Sequence, residues 1–125
     1  YIKRFIKINN MEMGLWKSGR EREKTINEAL EMTDALHLKK RLFHSLSGGE
    51  RQRVSLSRCL AQNSPLILLD EPSSFLDRES RDSFISLMEK VATPERAIIA
   101  ITHDSTVIDR LGWKEVALER RRDDE

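Results

Sequence analysis

Two adjacent carboxylates, Asp70 and Glu71, close the apolar run Leu66-Ile67-Leu68-Leu69 and are followed at once by Pro72. Such a pair at a strand end can divide the labour of nucleotide hydrolysis. One of the two can hold Mg²⁺, usually through water, while the other orients or deprotonates the attacking water. A second apolar run, Ala97 to Ile101, leads through Thr102 to His103, whose imidazole could donate to a terminal phosphate or stabilise charge developing there. Upstream, Ser47-Gly48-Gly49-Glu50 has the S-x-x-E spacing of a capping box. Its glycines carry no Cβ, so backbone amides and the positive end of a helix dipole face outward as an anion site. Asp77, in Ser73-Ser74-Phe75-Leu76-Asp77, reads as the N-cap of the next helix and as a candidate for the same site. Taken singly, these are an acidic turn, a hydrogen-bonding histidine and an ordinary capped helix. Their order along one chain is what points to nucleotide chemistry.

The elements that must position these residues are legible around them. Leu66 to Leu69 and Ala97 to Ile101 are continuous apolar runs without alternation, which predicts parallel strands buried on both faces. Between them Phe84, Leu87, Met88 and Val91 follow helical spacing, giving one right-handed βαβ unit. Ligands bind at the carboxyl ends of strands in open parallel sheets, where Asp70, Glu71 and His103 fall. The capping box predicts a helix from Gly48 to about Gln62, stopped by Asn63-Ser64-Pro65. Ile26, Ala29, Leu30, Thr33 and Leu36 predict an amphipathic helix from Thr25. Before it, Met11, Met13, Leu15 and Trp16 suggest a short helix, and Lys17 to Lys24 a loop. A helix from Ser105 to Leu111, a weaker strand with Val116 and Leu118, and a solvated tail from Arg120 to Glu125 complete the reading.

With 125 residues, 38% apolar and 34% charged, the chain can build one modest core. A formal charge of +1 gives no electrostatic case for nucleic acid or an anionic membrane surface. The single cysteine, Cys59, shares helical spacing with Leu56 and Leu60 and reads as a small buried thiol, so a disulfide framework is excluded and a reducing cytoplasm fits. The three histidines, among them His37 and His44, and the one cysteine lack metal-ligand spacing, which argues against a zinc site. No apolar run approaches the ~20 residues that span a bilayer, and the start carries no signal-peptide pattern. Tyr1 stands where an initiator methionine is absent, so the chain is expected to be an excerpt of a longer protein. No Gly-x-x-x-x-Gly-Lys-Ser/Thr phosphate loop occurs in it.

From about position 5 to position 119 the chain resembles the ATP-binding-cassette (ABC) ATPases. Leu46 to Glu50 is similar to their signature loop, Leu66 to Glu71 to Walker B, Ser73 to Asp77 to the D-loop, and His103 to the switch histidine. The resemblance implies an α/β fold, a partial P-loop NTPase domain. It consists of a helical subdomain at 1–45, the signature, Walker B, D-loop and H-loop part of the core at 46–119, and a polar tail at 120–125. It further implies a transporter subunit that binds and hydrolyses ATP with Mg²⁺ and couples this to solute transport. The implied partners are a membrane permease subunit and a second nucleotide-binding domain in a head-to-tail dimer. No nucleic acid is implied, and the location is cytoplasmic, at the inner face of the membrane. Ser47 and Gly49 would then contact the γ-phosphate of ATP held by the opposite subunit, beside Gly48, Glu50 and Asp77. Asp70 as metal ligand and Glu71 and His103 as catalytic residues would serve the chain's own nucleotide.

Met13-Gly14-Leu15 and the Ile26 to Leu38 helix look most like ATPases of metal or metal-chelate importers, and Met11 to Arg41 like the subdomain that docks on the permease. Two residues depart from the family pattern: Glu50 replaces the commoner glutamine, and Phe75 is bulkier than the small residue usual in the D-loop. The phosphate-binding loop, the adenine-stacking aromatic and the glutamine-bearing loop would all precede Tyr1. Two alternatives stay open, a truncated non-catalytic interaction module and a non-transport ABC ATPase. Against the second, sustained heptads are missing, and Ser74-Phe75 stands where translation-factor members carry Asn-His.

Overall fold

The computed structural model describes Ile2 and residues 18–118. The expected short helix around Met11 to Trp16 and the tail from Arg120 lie outside the described residues. Helix α1 spans Gly19–Met32, with Ser18 as N-cap accepting from the Glu21 amide at 3.1 Å. It therefore begins well before Thr25 and takes up most of the stretch from Lys17 to Lys24 that was expected to be a loop, and the Ser18-x-x-Glu21 spacing was the available signal. It also ends sooner than the apolar pattern suggests. Thr33 is its C-cap, Asp34 turns the backbone at φ 56°, and Leu36–Leu38 forms a short 3₁₀ turn, followed by another at Phe43–Ser45.

Helix α2, Gly48–Ala61, opens on the expected capping box. The Glu50 amide donates to Ser47 Oγ at 3.2 Å and the Ser47 amide to Glu50 Oε1 at 3.0 Å. Its C-cap is Gln62, and Asn63, at φ 51°, turns the chain toward Pro65. Strand β1 (Leu66–Asp70), helix α3 (Arg78–Val91) and strand β2 (Ala97–Ile101) form the βαβ unit. The strands pair in parallel, Leu68 opposite Ile99 and Asp70 opposite Ile101. Helix α4, Ser105–Leu111, stops at Gly112, whose φ of 57° suits a residue without a Cβ.

One apolar cluster joins these elements. Ile26 and Leu30 of α1, Val54 and Leu56 of α2, Phe84, Ile85, Met88 and Val91 of α3, and Val107 of α4 are all within 2% of complete burial. Each such side chain contributes about 1.5–3 kcal/mol of transfer free energy. Polar groups tie the same helices together. Thr33 and Ser57 share a buried hydroxyl contact at 2.5 Å, and Arg53 of α2 donates to the Thr33 carbonyl at 3.1 Å and to Ser83 of α3.

Two further expectations are corrected. The strands are covered on one face only: Ile67, Leu69, Ile98 and Ala100 turn toward the helices, whereas Leu66, Leu68, Ile99 and Ile101 are 44–67% exposed. All the described helices that pack on the sheet do so from one side, so an unbroken apolar run meets a core on alternate residues alone. The strand expected at Val116 and Leu118 is also not formed. Residues 112–118 are irregular, and these two side chains are 72% and 86% exposed, without a ladder to join.

Candidate functional site

Asp70 ends β1 on the open face, and the next residue, Glu71, adds one more link to the sheet as its amide donates to the Ile101 carbonyl at 2.7 Å. Glu71 then leaves the strand at φ 46°, a left-handed conformation that a residue with a Cβ adopts at a cost. The chain folds into a tight turn in which the Ser74 amide donates to the Glu71 carbonyl at 3.1 Å and the Leu76 amide to the Ser73 carbonyl at 3.2 Å. At the end of β2, His103 lies beside it, and Glu71 Oε1 and His103 Nδ1 are 2.7 Å apart. The hydrogen bond and the negative charge of Glu71 raise the imidazole above its ordinary value. A protonated ring with Nδ1 engaged in this way retains Nε2–H as a donor toward solvent.

Asp104, next to this histidine, carries no role in the sequence reading, yet it locks the two strand ends together. Its Oδ2 accepts from Ser73 Oγ at 3.2 Å and from Arg81 Nη1 at 3.4 Å, and its Oδ1 accepts from the Thr106 amide at 3.0 Å. Burial pushes the Asp104 carboxyl up, but the Thr106 amide, the Arg81 guanidinium and the Ser73 hydroxyl together outweigh it and hold the group below the usual carboxylate range. The Asp104-Ser105-Thr106 run signals a helix cap; its link to Ser73 and Arg81 depends on the fold and has no local signal.

The second constellation surrounds the start of α2. Ser47 takes the Glu50 amide, while the Gly48 and Gly49 amides belong to the first turn, where no intrahelical acceptor exists. Glu50 is held low by the Ser47 amide, so its carboxylate is committed to the cap. Packing supplies a further reason for the glycines. A Cβ on Gly49 would lie 3.1 Å from Ser80 Oγ, and one on Gly48 would lie 3.5 Å from Leu76 Cδ2 and 3.8 Å from the Phe75 carbonyl oxygen. The segment from Phe75 to Ser80 thus lies against the α2 start. Asp77 caps α3, accepting from the Ser80 amide at 2.7 Å, which lowers its carboxyl below the usual range. The structure therefore brings Glu71 and His103 together and sets Ser47, Gly48 and Gly49 against the loop that ends at Asp77.

Other candidates recede. Cys59 is half-buried, and burial raises its thiol, which disfavours a reactive thiolate. Among the described residues, no group of three His, Cys, Asp or Glu side chains could hold a metal ion by itself. Asp70, with one hard carboxylate at a strand end, fits Mg²⁺, which takes one or two carboxylates and completes its shell with water and phosphate oxygens. No described helix is long and apolar enough to cross a membrane.

Residues 3–74 match the family model for ABC transporters. The chain belongs to the ABC transporter family. It is 41% identical over 86 residues to the molybdenum import ATP-binding protein ModC of Rhodopseudomonas palustris, covering 68% of this chain and 23% of that protein. It is 40% identical over 84 residues to the hemin import ATP-binding protein HmuV of Streptomyces coelicolor, covering 67% and 30%. Among solved structures, cbiO1 from Clostridium perfringens, part of the transporter complex cbiONQ, superposes with a TM-score of 0.75 at 25% identity, covering 88% of this chain and 43% of that one. The dimeric post-hydrolysis state of the cassette MJ0796 bound to ADP and Pi gives a TM-score of 0.69 at 29% identity, covering 85% and 47%. The chain thus spans less than half the length of each of these proteins, and its α/β fold is that of part of an ABC ATPase cassette.

Proposed function

We propose that the chain supplies the hydrolytic strand ends and the signature helix of an ATPase that drives solute transport through a membrane permease. The observation that carries this reading is the Glu71–His103 pair at 2.7 Å, at the carboxyl ends of two paired parallel strands. Asp70 would hold Mg²⁺, which would supply positive charge to the phosphate oxygens. Glu71 Oε1 is engaged by His103, which leaves Oε2 to accept a proton from the attacking water and orient it. His103 presents Nε2–H to the γ-phosphate, where negative charge builds as the bond to the leaving phosphate breaks.

The amides of Gly48 and Gly49, with Ser47, meet the γ-phosphate of ATP held by a second cassette in a head-to-tail dimer, and Asp77 lines the same seam. The dimeric state of MJ0796 and its bound ADP and Pi support this arrangement. The region through residue 45 acts as the helical subdomain toward the permease, and 46–119 as the catalytic part. The relatives named for molybdenum and hemin import favour an importer of metal ions or metal chelates, working at the inner face of the membrane.

MgATP calorimetry tests the assignment. The chain alone, which has no phosphate loop, is expected not to bind at micromolar concentration, and joining a segment with that loop ahead of Tyr1 is expected to confer binding. Micromolar binding by the chain alone, lost in Asp70→Ala, would overturn this reading.

A further inference from the structure

The two carboxylate oxygens of Glu50 have different surroundings. Oε1 accepts from the Ser47 amide at 3.0 Å and completes the cap of α2, which fixes a negative charge one hydrogen bond from the residue that leads the outward-facing amides of Gly48 and Gly49. The Ser47 amide does most to hold the Glu50 carboxyl below its ordinary value, against the effect of burial, and the Ser47 hydroxyl, Arg41 and His37 add to it, so the group is ionised at neutral pH. A carboxylate here suits the helix dipole, but it opposes any phosphate that the same amides receive. That opposition grows when a second protein surface excludes water, because charges interact more strongly as the local dielectric falls.

Arg41 supplies the counter-charge. Its Nη1 lies 4.0 Å from Glu50 Oε2, the oxygen that the cap leaves open, while Nη2 donates to the Ser45 carbonyl at 3.0 Å. The backbone behind the guanidinium is held as well: the Arg41 amide donates to the Leu38 carbonyl at 2.8 Å, and its carbonyl accepts from the Ile2 amide at 3.1 Å. Arg51, the next cation along α2, turns instead to the His44 carbonyl at 2.9 Å. An ion pair as exposed as that of Arg41 and Glu50 adds little to the stability of the fold. Its larger effect is on what approaches the α2 start. We propose that Arg41 is a positioning residue for the signature site, which neutralises Glu50 so that the α2 start can accept the γ-phosphate of ATP held by a second cassette. This role rests on the reading that Ser47 and the glycines reach that ATP. A glutamine in place of Glu50 would need no such partner, so the pair is particular to this chain.

The test is sedimentation equilibrium with saturating MgATP, on the product of the full reading frame that encodes the chain, carrying Glu71→Gln throughout to prevent turnover. Arg41→Gln should weaken the ATP-dependent dimer about five-fold or more, the upper range for an exposed ion pair made stronger by loss of water, without changing MgATP binding by the monomer. In a Glu50→Gln background, which keeps an oxygen for the Ser47 amide but carries no charge, the same substitution should change the dimer less than two-fold. An equal effect in both backgrounds would mean that the guanidinium does not act through Glu50 and would overturn the proposal. Ser47→Arg separates this role from the functional reading. If it abolishes the dimer while Arg41→Gln dimerises within two-fold of the parent, the role of Arg41 alone is wrong. If the dimer survives Ser47→Arg, or none forms with MgATP, the functional reading falls and the role of Arg41 with it. A monomer that loses MgATP binding or thermal stability with Arg41→Gln would make the residue structural and also overturn the proposal.

Discussion

Glu71 Oε1 and His103 Nδ1 meet at 2.7 Å although they are 32 residues apart in sequence, because the strands that carry them are neighbours in register and Glu71 extends the pairing past Asp70. Each side chain gains something from the other. The hydrogen bond and charge of Glu71 raise the imidazole above its ordinary value, and the carboxylate is fixed in place at the mouth of the sheet.

The pairing predicts a titration. The His103 ring protons, followed by NMR, should report a pKa above the ordinary 6.5, and Glu71→Gln should bring it back toward that value. A group raised on folding contributes stability that is fully present below its unfolded pKa and is lost as pH rises through the folded one. The advantage of the parent over Glu71→Gln should therefore disappear on going from mildly acidic to alkaline solution. An unchanged His103 titration in the variant would show that the contact does not persist in solution.

Asp104 predicts the opposite trend. Its carboxyl is depressed, so its contribution is present above the ordinary carboxylate value of 3.8 and is lost as pH falls through the folded one. Asp104→Asn keeps a cap for Thr106 but loses the charge that faces Arg81. Urea titrations should show the variant less stable at neutral pH and equal to the parent in strong acid. A deficit that persists unchanged in acid would mean that packing and not charge sets the role of Asp104.

At the start of α2, Ser47→Ala removes the cap on the Glu50 amide and should cost about 1 kcal/mol in a denaturant titration. Gly49→Ala should also destabilise, since its Cβ would meet Ser80 Cβ at 3.2 Å and Oγ at 3.1 Å. If Gly49→Ala were neutral or stabilising, the helices would have room to part there.

The open face of the sheet predicts association. Leu68 and Ile99 are cross-strand partners, 67% and 52% exposed, in a sheet that among the described residues has two strands and both edges unpaired. The isolated chain should therefore self-associate with concentration. The pair Leu68→Lys and Ile99→Glu should suppress this, since opposite charges directly across a ladder are tolerated. A monodisperse unsubstituted monomer over the same range in light scattering would contradict the prediction.

The elements nearest the chemistry were the most legible, for a local reason. Ser47 and Glu50 complete their cap within four residues, and the apolar run before Asp70 needs only its parallel neighbour to become a strand. Coverage of that strand depends on elements elsewhere in the chain, so Leu66 and Leu68 read as buried although they are open. The Asp104 link to Ser73 and Arg81, and the Arg53 link from α1 to α3, join residues distant in sequence through ordinary polar types, and they carry no spacing to read. The left-handed Phe75 is similar in kind, since the residue type argues against the conformation that the loop imposes.

The central claim is that Glu71 handles the attacking water, and single-turnover hydrolysis of radiolabelled MgATP measures it most directly. The chain is joined to a segment bearing the phosphate loop and compared with its Glu71→Gln and His103→Ala forms. All three should bind MgATP with similar affinity, and both variants should release phosphate about 10²-fold more slowly or worse, the usual loss when a positioned acid–base group is removed. Hydrolysis by the Glu71→Gln protein at the unsubstituted rate, with binding intact, would contradict the account.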